Sequence, residues 1–239
     1  MLEKLRLPPK TPAPTGLLRL PFEILLQIYY HCIPRKRIIE VAHLCFIPQW
    51  LPDLEDGQDF EDDNSIFLLS KQISEEALDV LYGDNVFKLY LHGEGESYLK
   101  KNFSHQNRQR MKYLLLIARP RGVSYTPENR VDDVLWRCML PHLKGLRIVA
   151  EQPVKERSYY GAPTHKQEMD CWINWFPPYM QCLGQYLVRE TKIEVDANDH
   201  AETEELVKKC LPYGYQKIQC HLVGDLIFKR GQYSWESGY

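Results

Sequence analysis

Apolar and polar positions change period along this chain, and the first clear pattern is helical. Leu25, Ile28, Tyr29 and Cys32 recur at i, i+3, i+4 and i+7, which predicts a helix starting at Pro21. Proline suits a first helical position, because its φ is preset and its missing N–H would have no partner there. Glu23 in the first turn faces the positive end of the helix dipole. Phe22, Leu26 and Ile33 fall outside that stripe, so the helix is apolar on more than one side. Such a helix is either core buried from two sides, or it offers its second side to a partner protein.

A second helical pattern runs from Leu68 to Tyr82, with Leu69, Ile73, Ala77, Val80 and Leu81 on one face. Glu75, Glu76 and Asp79 face outward, and Gly83 stands where a left-handed C-terminal cap belongs. Asp84-Asn85 then turns the chain into Val86–Leu91, which alternates with period two as a strand does. Between the two helices, Ile38 to Ile47 is apolar enough for a strand or a short helix. Asp53 to Asn64 is an acidic, turn-rich loop. Downstream, strands are expected at 111–118, 143–149 and 191–195, with one or two more within 216–228. Helices are expected at 130–140, 167–188 and 201–210, the second being one helix or two broken at Pro177-Pro178. Alternation of this kind argues for α/β units with neighbouring parallel strands.

Two of these stretches carry a resemblance. Leu20-Pro21-Phe22-Glu23-Ile24, followed by Ile28-Tyr29, resembles the opening helix of an F-box. Paired with Leu68-Leu69, Gln72-Ile73, Glu75-Glu76-Ala77-Leu78, Leu81-Tyr82 and Asn85-Val86-Phe87, it is similar to the F-box-like DUF7730 type of filamentous-fungal proteins. The segment Leu143-Lys144-Gly145-Leu146-Arg147-Ile148 also looks like the strand of a leucine-rich repeat. The resemblance implies an α+β fold of F-box-like N-terminal helices followed by irregular strand–helix units, degenerate and leucine-rich-repeat-like. The same element order equally fits a single α/β layer without solenoid character.

The expected organisation is a flexible proline-rich leader at 1–16, an F-box-like helical region at 17–92 with its acidic loop at 53–64, and an α/β region at 93–239. That last region is either separate from or continuous with the one before it. The function implied by the resemblance is a non-enzymatic protein–protein interaction module, a substrate adaptor of a cullin–RING ubiquitin ligase. Leu20, Pro21, Ile24, Ile28 and Tyr29 would dock a Skp-type adaptor protein, and the α/β region would present an unknown protein target. The alternative is a single-domain protein with no ligase link. Its helices fill its own core, and it binds another partner, or a small molecule near Trp172 and Trp175.

Composition narrows this picture. With 239 residues, 44% apolar and 26% charged, the chain is ordinary globular protein. A net charge of −2 gives no basic excess for nucleic acid or an anionic membrane surface. No apolar run reaches the ~20 residues of a membrane-spanning helix. Met1 to Thr15 lacks the apolar centre of a secretory signal, and the seven cysteines include no C-x-x-C pair. An intracellular protein, cytoplasmic or nuclear, with reduced cysteines is therefore expected.

Chemical signatures are sparse. No nucleophile elbow, Walker loop or metalloprotease motif is present. Gly93-Glu94-Gly95-Glu96-Ser97 reads as a turn, since its glutamates would repel phosphate. In the acidic loop Gly57 falls at position 5 counted from Asp53, where a calcium loop needs glycine at 6. His31, Cys32, His43 and Cys45 lack zinc-site spacing, and the adjacent His31 and Cys32 point about 100° apart on a helix. Glu75 and Glu76 diverge for the same reason. Arg108, Arg110, Lys112, Arg119 and Arg121 read as a solvated basic rim. Trp172, Trp175, Phe176 and Tyr179, at i, i+3, i+4 and i+7, read as a core or interface stripe. No catalytic residue, metal or cofactor is expected.

Overall fold

The structure, a computed structural model, describes residues 16–41, 46–47, 64–91, 95–118, 131–150, 152–153 and 164–219. Expectations for the leader at 1–15, His43, Cys45, residues 53–63, Arg119, Arg121 and the strands at 220–228 lie outside the described residues.

Helix α1 spans Phe22–Cys32, and Pro21 stands one position earlier than expected, as its N-cap. The Pro21 carbonyl accepts from the N–H groups of Ile24 and Leu25 at 3.0 and 3.1 Å. After α1 the chain enters a sheet at once, in β1 (Ile38–Glu40) and the short antiparallel β2 (Phe46–Ile47). Helix α2, Lys71–Asp84, begins later than expected because Ser70 caps it, its hydroxyl accepting from the N–H of Ile73 at 3.2 Å. Leu68 and Leu69 therefore precede the helix, and Leu69 is exposed instead of sharing the buried face of Ile73, Ala77 and Val80. At its other end α2 runs through Gly83, so the left-handed cap is not used. The Asn85 amide donates to the Leu81 carbonyl at 2.7 Å and satisfies a group that such a cap would have served.

Strand β3 (Val86–Tyr90) leads to α3 (Gly95–Asn102) and α4 (His105–Arg110). Then come β4 (Tyr113–Ala118), α5 (Asp133–Met139), β5 (Gly145–Ala150), α6 (His165–Tyr186), β6 (Lys192–Asp196), α7 (Ala201–Cys210) and β7 (Gln216–Lys217). Gly95 opens α3 where a turn was expected. A Cβ there would sit 1.8 Å from the Tyr90 carbonyl, an approach only glycine permits.

The sheet order is β2-β1-β3-β4-β5-β6-β7, and every neighbouring pair except β1/β2 is parallel. This overturns the expected F-box-like helical domain followed by leucine-rich-repeat-like units. The fold is α/β, with six parallel strands and interleaved helices in a Rossmann-like alternation. Two findings explain the difference. β1 lies between α1 and α2 in the chain and pairs with β3, so α2 is a crossover within the sheet and not part of a preceding module. A leucine-rich-repeat strand shows one face on an open concave surface, whereas β4 and β5 bury both. Leu114, Leu116, Leu146 and Ile148 pack under the helices, and Leu115, Ile117 and Val149 are buried on the opposite face. The sheet also crosses the 92/93 boundary through the β3/β4 pair.

Helix α6 settles the proline question as one element. It begins in a reciprocal cap: Thr164 Oγ1 accepts from the Gln167 N–H, and Gln167 Oε1 accepts from the Thr164 N–H. Pro177 and Pro178 remove donors whose helical acceptors would be the carbonyls of Ile173 and Asn174, both on the exposed side where water can replace them. Trp172, Trp175, Phe176, Tyr179 and Met180 hold the other side against the sheet.

Candidate functional site

Along α1 and its C-cap, the buried line is Leu25, Tyr29 and Ile33, at i, i+4 and i+8. The inward side is thus turned relative to the expected stripe: Ile33 joins it, while Cys32 is exposed. These side chains meet Ile66, Ile73, Ala77 and Val80 in a small apolar cluster separate from the main core beneath the sheet. Polar ties fix the helix in place. The Tyr29 hydroxyl donates to Glu76 at 2.7 Å, and burial, then the Glu76 carboxylate, push that hydroxyl well above the usual tyrosine range. Arg35 pairs with Asp84 at 2.7 Å and lies over the Tyr30 ring, 3.3 Å from its centroid.

Apolar side chains around the start of this anchored helix stay open. Leu20 is 37% exposed, Phe22 59% and Ile24 41%. Pro21 is exposed too. Of the five residues expected to dock a partner, Leu20, Pro21 and Ile24 are exposed in this open stretch. Ile28 is half-buried at its margin, and Tyr29, only 1% exposed, belongs to the inner core. Phe22, which the sequence set outside the stripe without counting it among the docking residues, is open too, and the sequence reading missed Leu68 at 85% exposure, next to Ile66 and Phe67 of the same cluster. The signal for Leu68 was Ser70, whose capping role puts Leu68 and Leu69 ahead of the helix.

Among the other described residues, several side chains with chemical potential are engaged in structure. Glu75 meets Arg110, while Glu76 meets Tyr29 and Gln72, so the adjacent carboxylates diverge as expected. Of the basic run, Arg110 also pairs with Asp79 at 2.8 Å, and Arg108 donates to the Phe103 carbonyl at 2.6 Å. Glu96, whose carboxyl burial raises, accepts from Trp136 Nε1 at 2.5 Å and joins α3 to α5. Burial, then the charges of Asp133, Glu96 and Asp132, push the Cys182 thiol up to about 12. Trp172 and Phe176 stack at 4.5 Å between centroids within the core, with Trp175 beside them. Among the described residues, no three His, Cys, Asp or Glu side chains converge on a metal position, and no helix is long and apolar enough to cross a membrane.

No family model, no curated protein and no solved structure matches the chain.

Proposed function

We propose that this protein is a protein–protein interaction module that docks a Skp-type adaptor of a cullin–RING ubiquitin ligase through the outer face of α1, and so brings a target protein to the ligase. The observation that carries this reading is the pairing of a firmly anchored helix with exposed Leu20, Phe22 and Ile24 around its start, Ile24 pointing away from the buried Leu25 and Tyr29. Apolar side chains held rigidly in water lose little conformational freedom on binding, and each contributes about 1–2 kcal/mol when covered. The sequence resemblance of Leu20-Pro21-x-Glu23-Ile24 supplies the identity of the partner. The reading concerns a docking helix carried on an α/β fold. It is non-enzymatic, involves neither nucleic acid nor membrane, and puts the protein in the cytoplasm or nucleus.

Purified Skp-type adaptor is expected to bind the intact chain, with Leu20→Asp and Ile24→Asp each weakening binding at least about ten-fold. Because both side chains are exposed, both variants are expected to keep the wild-type stability to within about 0.5 kcal/mol. Isothermal titration alongside thermal melts reads both quantities. Equal affinity for wild type and the two variants, or no binding by wild type, would overturn the proposal.

A further inference from the structure

The described residues include five cysteines: Cys32 is exposed, Cys138, Cys171 and Cys210 are half-buried, and Cys182 is buried. One of them faces a histidine. The Cys138 sulfur lies 3.1 Å from Nε2 of His105, a hydrogen-bond separation for a thiol and an imidazole nitrogen.

The two residues are brought together by helices that are themselves fixed. His105 is the first residue of α4, which Ser104 caps by accepting from the Asn107 N–H at 3.1 Å. Cys138 lies in the last turn of α5, which Leu135, Trp136 and Met139 pin into the main core. Asp132 caps the start of α5 through the Leu135 N–H at 3.0 Å and pairs with Lys100 at 2.5 Å. The contact therefore joins two capped helices and does not depend on a free loop. His105 is exposed and Cys138 half-buried, so small reagents can reach the sulfur.

We propose that Cys138 and His105 form a reactive thiol–imidazole pair, a modification site at which the sulfur attacks peroxides and other small soft electrophiles while Nε2 takes its proton. With hydrogen peroxide, an S–O bond forms as the O–O bond breaks. The thiol is oxidised to a sulfenic acid, and the departing hydroxide takes the proton from His105 and leaves as water. With an alkyl iodide, an S–C bond forms, iodide departs with the bonding electron pair, and the proton passes from His105 to solvent.

Exposure and chemistry order the cysteines differently, which makes the proposal testable. By exposure alone Cys32 reacts first; with the imidazole as base, Cys138 does. Intact protein is treated with iodoacetamide at pH 7, and alkylation of each cysteine is followed by peptide mass spectrometry. Cys138 is expected to react about ten-fold faster than Cys32, short of the ~10²–10⁴ that a fully enclosed catalytic base supplies. His105→Gln is expected to remove that advantage while leaving the Cys32 rate and the melting temperature unchanged. Under hydrogen peroxide with a sulfenic-acid trap, Cys138 is expected to be labelled first. Cys138 reacting no faster than Cys32, or keeping its rate in His105→Gln, would overturn the proposal. If the variant melts early, the wild-type comparison of Cys138 with Cys32 still decides.

Discussion

Asn85 does with its side chain what a stretch of backbone usually does. It is wholly buried, its amide donates to the carbonyls of Pro34 and Leu81 at 2.8 and 2.7 Å, and its oxygen accepts from the Arg37 N–H at 2.9 Å. One residue thereby closes the end of α2 and holds the segment between α1 and β1. Asn85→Ala would take their side-chain partner from three part-buried backbone groups, and a loss of about 1–3 kcal/mol in urea unfolding is expected. Asn85→Asp is expected to be at least as damaging, because it removes both donors and adds a charge. In the sequence Asp84-Asn85 reads as a turn before a strand, whereas Asp84 ends α2 and Asn85 is its extended C-cap, leading directly into β3. That the amide also reaches back across the chain to Pro34 is a tertiary fact with no local signature. The divergence of Glu75 and Glu76, by contrast, follows from helical geometry alone and was legible.

Among the elements, α6 and α7 meet at a point that permits no side chain. A Cβ on Gly184 would lie 2.0 Å from the Cys210 carbonyl oxygen, which belongs to backbone and cannot rotate away. Gly184→Ala is expected to force the helices apart and cost about 1–3 kcal/mol, read as a lower denaturant midpoint, even though alanine favours helix at an exposed site. Period was a good guide to the kind of element wherever a stretch had one. Val86–Tyr90 forms the expected strand, although Phe87, Lys88 and Leu89 are all buried instead of alternating, and the continuous run Leu114-Leu115-Leu116-Ile117 fits a strand covered on both faces. It failed at Ile38–Ile47, which holds two strands too short to show a period, and that stretch decides the topology. With β1 unplaced, the two early helices read as a module of their own. On α1, the expected stripe rightly held Leu25 and Tyr29 but took in the exposed Cys32 in place of Ile33, and Tyr29 was given to the partner by the F-box resemblance rather than by the period.

Across the whole molecule, several tyrosine hydroxyls share one electrostatic condition. Burial raises Tyr29, Tyr82 and Tyr179 above the ordinary value, helped at Tyr29 by Glu76 and at Tyr179 by Glu96, and partly opposed at Tyr82 by Asn107 and Arg110. In the unfolded chain these groups ionise near 10. Above that pH the folded state keeps protons that the unfolded state has released, so their contribution is intact below about pH 10 and is lost as pH rises through the higher folded-state values. Unfolding free energy is expected to fall by roughly 1.4 kcal/mol per pH unit above 10 for each tyrosine that remains protonated. Urea titrations at pH 8, 10 and 11 measure this, and an unchanged midpoint would contradict it.

The sheet ends, among the described residues, on strands of only two residues at each border, β2 and β7. A border that short gives a second copy almost no ladder on which to extend. At the β7 rim, where the described strand ends at Lys217, strand addition into fibres is thus poorly templated.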